Sequence, residues 1–394
     1  MPKLSKVLIL SASYGEGHHQ AAVAVREALL EDQPGLEVRI IDYMQMVHPT
    51  LNLFARYFYI KSVRFAPSLY GMFYNGTSKL KPTSLIQRRL NQLGLEDIAE
   101  FLNEYQPDFI LSTFPTPAGV ISMLKKQGLC QIPSATVITD HAIHSQWIHD
   151  YTDHYFVGSE HVRRGLVKRG IPNERISVTG IPINARYMEY KDRESIRARM
   201  GLETDLPTLL LMAGSYGVMN DMEDICSVLF HSEQRMQIIV VSGRNEKLRL
   251  QLEALAREAT NSVWVFGFTR EVDQLMAVSD LMVTKAGGLT ISEALAMELP
   301  MLLYRPIPGQ EVQNTAYLLK AHVAVLARTR KQVVERINRL FFVDPGKLER
   351  MRTHAKNIQK GTAAVDIARL LPKVEHLQVI DPNTVPERYF AGQS

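Results

Sequence analysis

Short apolar runs recur through this chain, and stretches with helical spacing separate them. Five runs lie in the first half and five in the second, at residues 7–10, 38–41, 109–112, 135–138, 154–157, 208–212, 238–241, 263–266, 281–284 and 301–304. Strands that alternate with helices in this way are typical of parallel sheets covered by helices on both faces. The sequence therefore predicts an α/β fold with two doubly wound, Rossmann-like sheets.

The length and composition fit two domains of ordinary size. The chain has 394 residues, of which 46% are hydrophobic and 22% are charged. We expect a first domain over residues 1–185, a linker over 186–206 and a second domain over 207–344. C-terminal helices and a tail are expected over 345–394, with one or two helices between 345 and 371.

The cysteine content and the N-terminus indicate a cytosolic chain. Cys130 and Cys226 are too few for a disulfide framework, and no charged leader with an apolar core opens the sequence. No run reaches the roughly 20 apolar residues of a membrane-spanning helix. Any membrane contact is therefore expected to be peripheral.

Glycines follow the first predicted strand in the stretch LILSASYGEGHHQAA. Gly15 and Gly17 remove side-chain bulk, and we expect the loop to lead into a helix from Ala21. Such a loop lets a polar ligand approach the backbone and the open amides of the helix. The spacing differs from the dinucleotide fingerprint GxGxxG, which disfavours a nicotinamide site.

The second half repeats this arrangement after two of its predicted strands. Gly214 and Ser215, in MAGSYG, can admit a phosphate to the backbone. In TKAGGLTISEALA, Gly287 and Gly288 leave helix amides open to a diphosphate, and a carboxylate at 293 can accept hydrogen bonds from a ribose diol.

Two of these signals have a purely structural alternative. Thr290 and Glu293 also spell a capping box, which needs no ligand. Gln310 and Glu311 follow a rigid turn, and their side chains can hydrogen-bond to sugar hydroxyls. The structural alternative is a polar loop that caps the next helix, which has the same composition.

No Asp or Glu occurs between Asp42 and Glu96. This acid-free stretch, residues 43–95, contains eight aromatic residues between Phe54 and Tyr74, which are interleaved with cations. The seven cations are Arg56, Lys61, Arg64, Lys79, Lys81, Arg88 and Arg89. The mixture suits the interface of an anionic membrane. Nucleic acid can also bind to such cationic and aromatic side chains. The structural alternative is a core helix with a solvated basic face.

Six candidate metal ligands lie within residues 140–154, namely four histidines and two of the three aspartates. They are Asp140, His141, His144, His149, Asp150 and His154. Such a density can indicate zinc, but the spacings match no closed set of zinc ligands.

Several motifs, taken in order, resemble one family of enzymes. They are GEGHHQAA, VITDHAIHSQWIHDYTDHYFVGSE, VTGIPI, VSGRNEKL, VFGFTREVDQLMAVSDLMVTKAGGLTISEALA and PIPGQEVQN. The chain is similar to GT-B glycosyltransferases of the family that contains the plant monogalactosyldiacylglycerol synthases and the bacterial diacylglycerol glucosyltransferases. The resemblance implies two Rossmann-like domains that face a central cleft.

The resemblance implies that the C-terminal domain binds a UDP-sugar. It places Gly267 and Phe268 by the uracil, Gly287 and Gly288 by the diphosphate, Glu293 by the ribose, and Gln310 with Glu311 by the sugar. Other donor-binding candidates in or beside the matched segments are Gly214, Ser215, Arg244, Lys285, Thr290 and Asn314.

The N-terminal domain is expected to bind the acceptor, diacylglycerol, at the cytoplasmic face of the membrane. His18 matches the family's histidine at the reacting centre, and we expect it to act as the base, with an imidazole that titrates near the working pH. Asp140 is the second catalytic candidate. The chain has Gly15-Glu16-Gly17 where relatives have three glycines.

The expected reaction inverts the anomeric centre of glucose or galactose. We expect it to use neither a metal nor another cofactor, because helix amides and Lys285 stabilise the negative charge on the departing UDP. Nucleic acid is not an expected partner. Two alternatives stay open: another GT-B enzyme, such as a UDP-N-acetylglucosamine 2-epimerase or a transferase to a polyprenyl-linked acceptor, and an inactive UDP-sugar sensor. The acid-free stretch argues against a soluble epimerase.

Overall fold

The computed structural model describes residues 4–13, 16–47, 94–217, 219 and 221–374, together with the single residues 72 and 76. The acid-free stretch lies almost wholly outside these ranges, as does Gly15. The described chain divides into two compact units. The first contains the described residues up to 185 and returns for 362–374, and the second spans 186–361.

The first unit is built on a six-stranded parallel sheet in the order β2-β1-β3-β4-β5-β6. Its strands are β1 (Lys6–Ser11), β2 (Glu37–Asp42), β3 (Phe109–Ser112), β4 (Ser134–Ile138), β5 (His154–Val157) and β6 (Ile176–Val178). Its helices are α1 (Glu16–Asp32), α2 (Tyr43–Val47), α3 (Leu95–Tyr105), α4 (Pro115–Lys126) and α5 (Glu160–Val167).

The second unit is built on another six-stranded parallel sheet, in the order β12-β11-β10-β7-β8-β9. Its strands are β7 (Thr208–Met212), β8 (Gln237–Val241), β9 (Ser262–Phe266), β10 (Leu281–Thr284), β11 (Met301–Tyr304) and β12 (Ala324–Ala327).

Eight helices are described in the second unit, and a last one belongs to the first. They are α6 (Arg193–Met200), α7 (Met222–Phe230), α8 (Glu246–Ala256), α9 (Val272–Val278), α10 (Gly288–Ala296), α11 (Gln310–Lys320), α12 (Arg330–Asn338), α13 (Gly346–Ile358) and, in the first unit, α14 (Ala363–Val374). A π-helical turn, Arg339–Val343, follows α12.

Alternation along the strands gives each sheet two apolar faces. In β1, Val7 and Ile9 pack with α1 on one face, and Leu8 and Leu10 pack with α3 and α4 on the other. Every one of these four side chains is fully buried. Burial on both faces explains why the strands have continuous apolar sequences.

The terminal region predicted as a single segment, 345–394, is divided between the two units. Helix α13 supplies Leu348 and Met351 to the core of the second unit. Helix α14 instead places Ile367 and Leu371 in the core of the first unit, against α1. The chain therefore returns to its first unit after completing the second.

The α/β prediction is confirmed, and the ten predicted strands are present. Two edge strands were missed: β6 has only three residues, and β12 begins and ends with alanine, which is depleted in strands. Helix α1 begins at Glu16 rather than Ala21. His18 therefore lies in the first turn of a helix and not in a loop.

None of the helices in the described ranges has the length and apolar character needed to cross a bilayer.

Candidate functional site

In the first unit, the candidate residues follow strands at the point where the chain order in the sheet reverses. Strands β1 and β3 are neighbours, and the loops after them leave from the same sheet edge. Open α/β sheets bind ligands at such switch points. His18 follows β1, and Thr113 follows β3 directly.

Thr113 holds His18 through two reciprocal hydrogen bonds. Nδ1 of His18 lies 2.9 Å from the carbonyl oxygen of Thr113, and the Thr113 hydroxyl donates to the carbonyl oxygen of His18 at 3.1 Å. A carbonyl can only accept, so Nδ1 must carry the proton. Nε2 is then the unprotonated nitrogen of the ring, which is the atom a general base needs.

Thr139, which follows β4, contacts the same nitrogen. Its Oγ1 lies 2.9 Å from Nδ1 of His18. Two oxygens thus face the Nδ1 proton, and both would stabilise the imidazolium that forms when Nε2 accepts a proton. Asp140 is the next residue and is partly exposed. Its catalytic role stays a prediction.

Two aromatic rings lie beside the His18 imidazole. The ring centroid of Phe114 lies 5.1 Å away at a steep angle, and that of Trp147 lies 6.0 Å away. Burial lowers the pKa of His18 to about 4, although the hydrogen bond to the Thr113 carbonyl acts in the opposite direction and raises it. The expectation that His18 titrates near the working pH is therefore wrong for the free protein, since the ring is neutral there.

Three of the four histidines in the segment 140–154 make structural contacts. His144 caps a short helical turn by accepting from the Gln146 N–H, and Nε2 of His154 lies 2.9 Å from the Ser177 hydroxyl. His149 lies 3.3 Å from the carbonyl of Pro115. Among the described residues, no three His, Cys, Asp or Glu side chains converge in a metal-binding arrangement.

In the second unit, the loops after β7 and β8 interlock. The Arg244 N–H donates to the Ser215 carbonyl at 2.9 Å. Gly214 and Gly243 have φ angles of +78° and +64°, and a Cβ on Gly243 would lie 2.3 Å from the Gly214 carbonyl oxygen. Only glycine fits such close backbone contact.

The next loop, after β9, extends this surface. The guanidinium carbon of Arg244 lies 4.7 Å from the ring centroid of Phe268, which is 53% exposed. Gly267 packs against the side chain of Arg249. An exposed aromatic face beside a cation can stack on a planar base.

Helix α10 begins with an uncapped N-terminus. Its N-cap residue is Gly287, and no side chain hydrogen-bonds there. Thr290 lies inside the first turn, so the capping-box alternative for Thr290 and Glu293 is wrong. The first amides of α10 are thus open to an anion, whose charge the helix dipole favours.

The loop after β11 is tied to the loop after β10. The Asn314 amide donates to the Ala286 carbonyl at 2.9 Å, and the Glu311 carboxylate accepts from the Ile307 N–H at 2.9 Å. The Lys285 ammonium lies 3.8 Å from Glu311. Glu311 and Asn314 are buried and hold the loops together, whereas Gln310 is partly exposed.

Glu293 lies one turn into α10 and is partly buried. Burial raises the pKa of its carboxyl to about 8, although a hydrogen bond from Tyr187 and the charge of Arg186 lower it. Sequence reasoning missed Tyr187, which lies in no recognisable motif.

The loops after β7, β8, β9, β10 and β11 therefore bring most predicted donor residues to one sheet edge, around the switch point between β7 and β10. Two doubly wound units, each with its candidate groups at the strand carboxyl ends, are the architecture of the GT-B class of proteins.

Comparison with known proteins identifies the family. Residues 18–183 match the model for monogalactosyldiacylglycerol (MGDG) synthase, and 208–369 match the glycosyltransferase family 28 C-terminal domain. A processive diacylglycerol beta-glucosyltransferase from Bacillus cytotoxicus is 35% identical over 387 residues, covering 98% of this chain and 97% of that protein. The chain therefore belongs to the family of the monogalactosyldiacylglycerol synthases and bacterial diacylglycerol glucosyltransferases.

Solved structures with low sequence identity share the fold. The crystal structure of MurG from Acinetobacter baumannii has a TM-score of 0.62 and 14% identity, covering 94% of this chain and 99% of that one. A UDP-GlcNAc 2-epimerase from Neisseria meningitidis, bound to UDP-GlcNAc, has a TM-score of 0.58 and 15% identity, covering 93% and 100%. At this identity the likeness concerns the fold alone.

The open terminus of α10 allows a test that separates ligand binding from stability. A Cβ on Gly287 meets no atom within 4 Å, and its φ of −70° is ordinary for alanine. We expect Gly287→Ala to cost less than about 1 kcal/mol of stability, the usual size of an N-cap change. Because the first amides of α10 are the expected position of the diphosphate, we expect the added methyl group to weaken UDP binding at least about tenfold, as measured by calorimetry.

The matched control is Gly243→Ala. Its methyl group collides with the Gly214 carbonyl, so this variant should lose thermal stability as well as binding. Unchanged UDP affinity in Gly287→Ala would show that no phosphate lies at this helix terminus.

Proposed function

We propose that this protein is an inverting glycosyltransferase that moves glucose from UDP-glucose to the hydroxyl of diacylglycerol at a membrane surface. The observation that carries the proposal is the open N-terminus of α10, with Lys285 before it and Glu293 one turn into it. The names of the relatives support glucose and diacylglycerol.

In this proposal, different loops of the second unit bind different parts of the donor. Phe268 and Gly267 contact the uracil, Glu293 binds the ribose, and the amides of Gly287 and Gly288 bind the diphosphate. Lys285 adds a positive charge for the leaving group. Because Glu311 already accepts from Ile307, Gln310 makes the main sugar contact and Glu311 positions the loop.

His18 activates the acceptor in this proposal. A lipid hydroxyl is a weak nucleophile, so a base must accept its proton as the bond to the anomeric carbon forms. Nε2 of His18 takes that proton, and the oxygens of Thr113 and Thr139 stabilise the charge at Nδ1. Attack from the face opposite UDP converts the α-linked donor to a β-linked product.

A panel of donors and acceptors tests this function directly. The protein is incubated with UDP-glucose, UDP-galactose or UDP-N-acetylglucosamine, with diacylglycerol vesicles and with EDTA present. We expect a glycolipid to form fastest from UDP-glucose, and EDTA to have no effect because helix amides and Lys285 replace a metal. A product with no lipid, or epimerised UDP-sugar, would contradict the proposal.

Removal of the base should affect the chemical step and not donor binding. We expect His18→Ala to lower kcat by about a hundredfold or more while UDP affinity is unchanged, because the proton moves only in the transition state. His231→Ala, an exposed histidine in the second unit, is the control. A near-normal kcat in His18→Ala would exclude His18 and make Asp140 the next candidate.

The pH dependence follows from the lowered pKa of His18. The ring is neutral and able to accept a proton at every pH above about 4. We therefore expect no loss of kcat/KM from His18 protonation as the pH falls from 8 to 5.5. A fall with a midpoint near 6.5 that disappears in the His18→Ala variant would contradict the buried, neutral ring.

The acid-free stretch lies outside the described residues, and its membrane role is part of the proposal. Each cation near an anionic surface contributes about 1 kcal/mol, and salt screens the attraction. Replacing Lys61, Arg64, Lys79 and Lys81 by Gln should release the protein from anionic vesicles and lower activity on embedded acceptor, while UDP affinity is preserved.

A matched variant controls for net charge. Replacing Arg164, Arg235, Lys331 and Arg350, all more than half exposed, by Gln removes the same four charges from elsewhere on the surface. Vesicle sedimentation should distinguish the two variants. Equal binding by both would show that the acid-free stretch does not dock the protein.

A further inference from the structure

A carboxylate joins the loop after β7 to the end of β11. The hydroxyl of Tyr304, the last residue of β11, donates to Oδ2 of Asp221 at 2.9 Å, and the Arg305 guanidinium donates to the same oxygen. Asp221 is the N-cap residue of α7, and β10 lies between β7 and β11 in the sheet. Asp221 therefore connects the two loops on either side of β10.

The backbone is unusual at both ends of this connection. The φ angle is +63° at Asp221 and +44° at Arg305, a left-handed region that residues with a Cβ rarely adopt. The Arg305 N–H also donates to the Ala327 carbonyl at 3.2 Å, and its Nε donates to the Arg328 carbonyl at 3.2 Å. Such a backbone persists only where surrounding contacts impose it, so the contact with Asp221 helps to fix the conformation of Arg305.

The conformation of Arg305 determines the direction of the sugar loop, residues 305–310. This loop ends at Gln310, the proposed sugar contact, and the sequence between the two residues is PIPG. Each proline fixes its own φ angle, so the loop has little freedom to compensate for a change at its start. The position of the Gln310 side chain therefore depends on how the chain leaves Arg305.

The loop after β7 has other anchors. Besides the hydrogen bond from the Arg244 N–H to Ser215, the Asn245 amide donates to the Gly217 carbonyl at 3.3 Å. Loss of the Asp221 carboxylate leaves these contacts with the loop after β8 in place. The main consequence is therefore expected in the sugar loop.

We propose that Asp221 is a positioning residue that sets the preference for the configuration of the donor sugar, because it fixes the sugar loop relative to the loop after β7. This inference rests on the proposed function, in which Gln310 contacts the sugar. Glucose and galactose differ in the orientation of one hydroxyl, so discrimination requires a hydrogen-bonding side chain in a fixed place. Asp221 acts through the loop and touches no donor atom.

Kinetics with two donors test this in the full-length protein. The variant Asp221→Gly removes the carboxylate, and glycine adopts a positive φ without strain. With phosphatidylcholine vesicles that contain diacylglycerol, we expect the ratio of kcat/KM for UDP-glucose to that for UDP-galactose to fall about tenfold, the usual effect of one hydrogen bond. Calorimetry should show UDP affinity within about twofold of the parent, because UDP lacks the sugar.

The conservative variant Asp221→Asn should restore most of the preference. Its side-chain oxygen can still accept from Tyr304 and Arg305, and asparagine tolerates a positive φ. Asp224→Ala is the matched control, because Asp224 lies in the first turn of the same helix and pairs with Arg330, both more than half exposed. It removes an equal charge and ion pair and should leave the preference unchanged.

The outcomes separate this inference from the proposed function. If Asp221→Gly binds UDP and keeps the parent's preference, or if it loses UDP affinity and thermal stability with no change in preference, the positioning role is wrong and the donor site stands. If the parent transfers no sugar or does not favour UDP-glucose, the proposed function is wrong as well. Tyr304→Phe removes only the hydroxyl and should lower the preference in the same direction; an unchanged ratio would contradict the inference even if Asp221→Gly does not fold.

Discussion

The parallel order of the strands is the constraint on which both candidate sites depend. In each sheet the chain first adds strands on one side and then crosses to the other, which leaves a switch point between β1 and β3 and another between β7 and β10. Loops diverge at a switch point and leave space above the strand ends. His18 lies at the first, and the Gly214, Lys285 and Gly287 loops lie at the second.

Burial shifts the pKa values of two candidate site residues in opposite directions, and both shifts favour the neutral form at pH 7. The pKa of His18 falls to about 4 and that of Glu293 rises to about 8, and in each case burial is the largest cause. A neutral imidazole has a lone pair ready for a proton. In the proposed reaction, the neutral histidine is the form that accepts the proton of the lipid hydroxyl.

The sequence predicted the sheets well because strands buried on both faces have continuous apolar runs that alternation with helices makes recognisable. The boundaries were harder to predict. A polar start, Glu16 to Gln20, concealed the first turn of α1, and the T-x-x-E pattern at Thr290 suggested a cap one turn too late. The contacts of Thr139 with His18 and of Tyr187 with Glu293 join residues distant in the sequence, and no local pattern reveals them.

The central claim is that a glycosyl group passes from the donor loops to a hydroxyl activated by Nε2 of His18, in one displacement. The anomeric configuration of the glycolipid tests it most directly. With UDP-glucose carrying carbon-13 at the anomeric position and diacylglycerol as acceptor, proton NMR of the lipid product reports the coupling between H1 and H2. A single displacement predicts the large coupling of a β-glucoside from the first turnover onward. The small coupling of an α-glucoside would contradict it.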